Sequence, residues 1–389
     1  MIYLQQVKQH NLSVILKDIW KHNQISRIEL VESTGLTSGT LTNLTHELIE
    51  AKVIREYQSV SGTGSVGRKR VLLAFDPHFY RIIGLDIGRT SYELVLTDLT
   101  GTKLQSKNGN IDAALGPEGF MAIIGPQLEL LKSEVLADGK KILGLGVGIP
   151  GPIDYARGSL IHPPNFEGWD GYPLQQVLES RYGIPTIIED DARTSALAEG
   201  WYGFGRNGMN LVSITMGIGI GGGVISGGGI VRGANGLYGQ VGHMTIEPNG
   251  IRCECGNKGC WETVGSIPGI LRRWGGSDMD AFMRDVRDNK ADACACIEAT
   301  LQYLETALVN IFNMYDPEVI ILGGRLYPYL NPYLALIQDR MRNRIYAFAK
   351  ERVLLRPSTF GSSQSAMGGT AAVFEALISR PVEILGYVK

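Results

Sequence analysis

The chain changes its hydrophobic rhythm near residue 80. Before that point apolar residues recur at helical spacing. Leu12, Ile15, Leu16 and Ile19 predict a helix over residues 12–22. Ser26, with Glu29 three residues on, reads as a capping box that opens a second helix, and Gly35 is placed to close it. Leu41, Leu44, Leu48 and Ile49 stripe a third helix, whose other side carries Ser38, Gly39, Thr40, Thr42, Asn43 and His46. Two helices joined by a short glycine-containing turn predict a helix-turn-helix. Strand-like runs follow at 53–60 and 70–75, around a glycine-rich segment that ends in Arg68, Lys69 and Arg70.

Beyond residue 80 strands and helices alternate, which predicts α/β architecture with mixed sheets. Residues 81–101 read as two strands around Asp86, Gly88, Arg89 and Thr90. Residues 141–154 read as a buried strand entering a Gly/Pro loop, and 186–203 as strand, acidic turn and helix. Residues 211–228 read as a glycine-filled hairpin, and 317–326 as a strand ending in a glycine pair. A last helix, 368–379, is expected to return onto the first lobe.

Composition adds one outlier. Glycine supplies 50 of 389 residues, about 13% against a usual 7% or so, without periodicity. Such glycines mark places where backbone approaches something closely. The net charge of -2 selects no partner by itself. No run approaches the roughly 18 apolar residues of a membrane span, and the start is polar, so no membrane partner is expected and the location reads as cytoplasmic. Five cysteines, an odd number, are a poor disulfide framework. Cys294 and Cys296 lie two apart on a predicted helix and read as small core residues.

Local chemistry is more specific. Residues 1–80 hold nine Lys or Arg against seven Asp or Glu. A basic-tipped glycine hairpin behind a helix-turn-helix resembles the wing of a winged module. Operator DNA is then the expected partner. Ser38, Gly39, Thr40, Thr42 and Asn43 would face base edges, and Arg68, Lys69 and Arg70 the phosphates or minor groove. Further on, His243 is followed after nine residues by Cys253-x-Cys255-x4-Cys260. One imidazole and three thiolates complete a tetrahedral zinc shell with no open position, hence a structural zinc.

The succession DxGxT, GxPGPID, PPNFEGW, EDDA, GIGGG, RGANGLYGQVGH, CxCGxxGCWE and DPEVIILGG resembles the ROK family of transcriptional regulators and sugar kinases, over essentially the whole chain. The resemblance implies a winged helix-turn-helix over residues 1–78, then a two-lobed actin-like or ribonuclease H-like ATPase fold. Its first lobe would span 79–195 with the C-terminal helix 366–389, and its second, with the zinc loop, 196–365. It also implies a sugar in the cleft, held by Asn165, Asp190, Asp191, Gln240, His243 and Glu262. Asp191 stands where the family's kinases carry their catalytic base. The phosphate elements depart from the kinase pattern at Arg89, Ile218 and Arg325, so Asp191 reads as a vestigial base and the chain as no enzyme. The expectation is a repressor of carbohydrate-utilisation genes, a homodimer or homotetramer. A sugar kinase with an accessory DNA-binding domain, or a DNA-free scaffold for a phosphotransferase protein, stays open.

Overall fold

A computed structural model describes residues 2–58, 71–163, 166–206 and 208–387. Helix α1 (Ile2–His22) starts well before the predicted position. Strand β1 (Ile25–Ser26) leads into α2 (Arg27–Thr34). The Ser26 backbone N–H donates to Glu29 Oε2 at 2.9 Å, and Glu29 N donates back to Ser26 Oγ at 3.3 Å, which completes the capping box. Gly35 closes α2 at φ 68°, a conformation that favours glycine. Helix α3 (Ser38–Glu50) is capped by Thr37. Strands β2 (Ile54–Gln58) and β3 (Val71–Phe75) pair antiparallel, and β3 also pairs with β1. This is a winged helix-turn-helix. Its core, including Leu16, Ile19, Leu30, Leu41 and Leu48, is continuous with residues of the chain beyond it, among them Tyr80 and Phe374.

Two five-stranded sheets follow. The first contains β4 (Tyr80–Ile87), β5 (Ser91–Thr97) and β6 (Lys103–Asn110) as an antiparallel meander. Helix α4 (Gly116–Ala137) then crosses to β7 (Lys141–Ile149), parallel to β4. A small hairpin, β8 (Ile153–Asp154) and β9 (Ser159–Leu160), and helix α5 (Leu174–Tyr182) precede β10 (Thr186–Asp190), parallel to β7. Helix α6 (Asp191–Tyr202) leads to the second sheet. There β11 (Leu211–Met216), β12 (Ile220–Ser226) and β13 (Gly229–Ile230) form the meander. Helices α7 (Trp261–Gly265), α8 (Ile267–Trp274), α9 (Met279–Arg287) and α10 (Ala291–Tyr315) come next. Strand β14 (Val319–Gly323) is parallel to β11; α11 (Tyr327–Leu330) and α12 (Leu334–Arg342) lead to β15 (Leu354–Pro357), parallel to β14.

Numbered within itself, each sheet has the same order, 3-2-1-4-5. That duplication defines the two-lobed, ribonuclease H-like architecture. Helix α13 (Gln364–Ser379) returns to β4 and β7 of the first sheet, and α14 (Pro381–Tyr387) follows it. Each sheet has its own core, one around Phe120, Leu145 and Trp169, the other around Ile214, Phe282, Leu308 and Ile320. Cys296 is buried in the second core, while Cys294 is only half-buried.

Candidate functional site

One cleft of about 470 Å³ lies between the lobes. It is lined by Asp190, Asp191, Gln240, His243 and Glu262, and also by Asp86, Arg89, Ile218 and Arg325. Parallel pairing sets Asp190 beside Ile149, so the acidic end of β10 abuts the Pro150-Gly151 loop. Asp190 is buried and caps α6, accepting from the N–H groups of Ala192 and Arg193 at 3.2 Å each. A carboxylate is well placed at a helix N-terminus. Its hydrogen bonds are thus those of a helix cap. Asp191 is the first helical residue, and its Oδ1 accepts from Ala192 N at 2.8 Å. Burial, then the neighbouring Asp190 and Asp86 carboxylates, push its pKa up to about 8. Burial likewise lifts Asp86 to about 6.

Behind this edge is a buried ion network. Arg193 Nε donates to Glu189 Oε1 at 2.8 Å, and Arg232 Nε to Glu189 Oε2 at 2.7 Å. The other Arg193 nitrogens reach the Gly236 carbonyl at 2.9 Å and the Tyr155 hydroxyl at 2.7 Å. Tyr155 in turn donates to Glu189. Burial alone would raise the Glu189 carboxyl, but the two guanidiniums outweigh it and hold it below its ordinary value. The Glu189–Arg193 pair has i,i+4 spacing at a strand–helix junction, a signal visible in sequence. Tyr155 and Arg232 are contributed by distant loops and carry no such signal. Asn165 lies outside the described residues.

The thiols and imidazole of the metal motif converge. The ligand atoms of His243, Cys253, Cys255 and Cys260 all lie within 4.8 Å of one another. Cys253 Sγ is 3.7 Å from His243 Nδ1, and Cys255 Sγ is 3.7 Å from Cys260 Sγ. Zinc–sulfur bonds of about 2.3 Å in a tetrahedron require sulfur–sulfur edges of about 3.8 Å, so the donor set fits the ion. Short backbone bridges, Thr245 to Cys260 and Arg252 to Lys258, shape the loop. With Nδ1 turned to the thiols, Nε2 is the nitrogen left for the cleft that His243 lines. Glu262, in the first turn of α7, accepts from Ile220 N at 2.7 Å, which ties the metal loop to the glycine hairpin. Glycines there serve close packing. A Cβ at Gly223 would stand 2.6 Å from that of Ala196 on α6.

Arg325 also lines the cleft. Leaving β14, it donates to Thr90 Oγ1 at 3.1 Å and Ser91 Oγ at 2.5 Å, and so bridges the lobes. Arg89 lines the cleft as well, and so does Ile218, which is 37% exposed.

On the winged module Ser38, Gly39, Thr42 and Asn43 are exposed along α3. Thr40 is half-buried, its hydroxyl 2.9 Å from the capping Thr37 hydroxyl and its N–H donating to the same oxygen. Arg68, Lys69 and Arg70 lie outside the described residues.

The ROK family model matches residues 82–376, and the chain belongs to that family. The xylose repressor of Bacillus spizizenii is 29% identical over 373 residues, 95% of this chain and 96% of the repressor. The glucokinase of Thermotoga maritima is 31% identical over 263 residues, 63% of this chain and 81% of the kinase. The crystal structure of a ROK family transcriptional regulator, a homologue of the E. coli MLC protein, matches with a TM-score of 0.82 at 26% identity, covering 98% of this chain and 99% of that one. Among the described residues no helix is long and apolar enough to cross a membrane.

Proposed function

We propose that this chain is a cytoplasmic, sugar-responsive repressor of carbohydrate-utilisation genes. One observation carries the reading: the likeness to a xylose repressor runs through the winged module and both lobes, whereas that to a glucokinase stops at 63% of the chain. The winged module binds operator DNA as a homodimer or homotetramer. Ser38, Gly39, Thr40, Thr42 and Asn43 face the groove, and Arg68, Lys69 and Arg70 the backbone. Asn165, Asp190, Asp191, Gln240, His243 and Glu262 hold a sugar, and His243, Cys253, Cys255 and Cys260 hold a structural zinc. Zinc bound there supplies no open coordination site and fixes the loop that carries His243. The nucleotide end supports a non-enzymatic role: Arg325 occupies it as a bridge between the lobes.

The test is a titration of the DNA upstream of the chain's own coding sequence, with and without a panel of sugars that includes xylose and glucose. Saturable, sugar-dependent operator binding is expected. Calorimetry with Mg-ATP and the bound sugar covers the kinase alternative. Sugar phosphate that forms, and disappears in Asp191→Asn, would move the chain to the kinase class.

A further inference from the structure

We infer that α6 is the lever through which the cleft reaches the DNA-binding module, and that Trp20 on α1 is the positioning residue that receives its movement. The inference rests on the reading above, of a sugar in the cleft and DNA on the module.

Helix α6 has 12 residues, so it spans about 18 Å. Its first residue, Asp191, lines the cleft, and its last two, Trp201 and Tyr202, reach the winged module. Between these ends it is gripped from two sides. On one side lies the second sheet. Cβ atoms added at Gly221 and Gly223 would stand 2.7 and 2.6 Å from the Cβ atoms of Ala192 and Ala196. Glu199, fully buried, accepts from Ser358 Oγ at 2.9 Å, Thr359 N at 2.7 Å and Thr359 Oγ1 at 2.7 Å, just beyond β15. On the other side lies α13, where a Cβ at Gly368 would meet the Thr194 carbonyl oxygen at 1.7 Å. Helix α13 is in turn seated on the first sheet, for a Cβ at Gly369 would lie 2.4 Å from the Gly146 carbonyl. A relative displacement of the lobes is therefore taken up at α6, which is packed between the second sheet and α13 and held at its start to β10 by the Arg193–Glu189 pair. Close-packed interfaces of this kind move as bodies.

Trp20 stands at the far end of α6 and touches both α6 and α13. Its ring lies 4.5 Å from Phe374 of α13, and 6.2 and 5.9 Å from Trp201 and Tyr202 of α6. Arg206, in the segment that runs from α6 to the second sheet, stacks 4.4 Å over Trp20 and donates to Asn23. The remaining anchors of the module belong to the first-lobe side. Tyr80 of β4 donates to the Ala51 carbonyl at 3.1 Å, and α14 packs on α1. The module thus stands on one lobe and is gripped at Trp20 by an extension of the other. Leu16 and Ile19, beside Trp20 on α1, share a core with Leu30 of α2 and Leu41 of α3, so a tilt of α1 carries the DNA-facing helix with it.

The experiment uses the full-length protein and three equilibrium constants: for the sugar found by titration, for the operator alone, and for the operator at saturating sugar. The ratio of the last two is the coupling factor, in ordinary allosteric proteins about 5- to 150-fold. Arg206→Ala and Trp201→Leu each should leave the sugar and sugar-free operator constants within about threefold of the parent. Each should bring the coupling factor down at least fivefold or to unity. Hydrogen exchange on the parent gives a second readout, since saturating sugar should change protection in residues 12–22. A parent that binds neither sugar nor operator overturns the functional reading and the inference with it. A parent that binds both, with both variants fully coupled, or with 12–22 unresponsive to sugar, overturns the inference alone.

Discussion

Arg193→Met isolates the network that fixes the acidic edge of the cleft. The substitution keeps most of the apolar stem and deletes the guanidinium. Arg193 is 0% exposed and its partner Glu189 1%, so water cannot replace what is lost. Glu189, the Gly236 carbonyl and the Tyr155 hydroxyl each lose a donor. Removing one member of a buried ion pair costs about 3–5 kcal/mol. Arg232, 40% exposed, stays on the second Glu189 oxygen at 2.7 Å and places the cost at the lower end, about 3 kcal/mol. At about 2–4 °C per kcal/mol, Tm should fall by about 6–12 °C at neutral pH. The pH dependence has a definite sign. The lowered Glu189 pKa gives stability that is present above the ordinary glutamate range and lost as pH falls through the folded value. Without Arg193, burial is opposed by one guanidinium fewer, so the Glu189 pKa is higher in the variant than in the parent. The variant's deficit should therefore be full at neutral pH and shrink on acidification. Scanning calorimetry of parent and variant across that range, with Arg193→Met/Glu189→Gln as the partly recovered control, measures both effects. A neutral-pH drop below about 2 °C, or a deficit that widens in acid, would refute the assignment.

Three further outcomes are expected. Cys255→Ser should lower the zinc content of protein purified without chelator and weaken sugar binding, while operator binding in the absence of sugar changes little; elemental analysis that finds no zinc in the parent removes the premise. Asn43→Ala should relax preference at one base position by about 1–3 kcal/mol, whereas Arg68→Ala weakens all sequences alike, as gel shifts on single-base operator variants would reveal. Asp191→Asn should raise the thermal stability of the sugar-free protein increasingly as pH climbs from the ordinary aspartate range to about 8, because the raised pKa makes ionisation in the fold unfavourable; a constant difference across that window counts against it.

Local chemistry made much of this molecule readable in advance. The Ser26–Glu29 box and Gly35 are decided within a few residues, and they form as expected. The alternating pattern after residue 80 locates the strands, because their apolar runs are buried on both faces. The opening of α1 was less legible. Leu4 is 72% exposed, so no burial pattern marks it, and Lys8 joins the helix to α3 through a 2.6 Å ion pair with Glu47. Asp190 illustrates a different limit. An acid at a strand–helix junction suits a ligand contact or a cap equally well, and only the 3.2 Å bonds to Ala192 and Arg193 show the cap. Trp20 packs with its own module through Phe75, but its contacts with Phe374, Trp201 and Tyr202 join it to helices far along the chain, which no local pattern encodes. Arg325 reads in sequence only as an intrusion among glycines. Its hydroxyl partners lie in the other lobe, a relation that no local pattern encodes.

These long-range contacts bear on how one fold serves both enzymes and regulators. Phosphoryl transfer draws its rate from positioning and from charges set around the phosphates, more than from the base. On the proposed reading, Asp191 is then a hydroxyl acceptor that no longer serves that chemistry. The two lobes are also tied to each other by the chain itself. In this chain a guanidinium provides the tie, from β14 to the turn between β4 and β5. Arg325 is part of the chain, so that tie is always at hand, whatever the nucleotide supply. On the proposed reading, the sugar is then the ligand-dependent contact between the lobes. A ligand shifts an equilibrium only by its differential affinity for the two states, and on the proposed reading Asp191, where α6 begins, contributes to that difference. The same helix ends against Trp20, so the energy of sugar binding is released on an element already in contact with the module that must move.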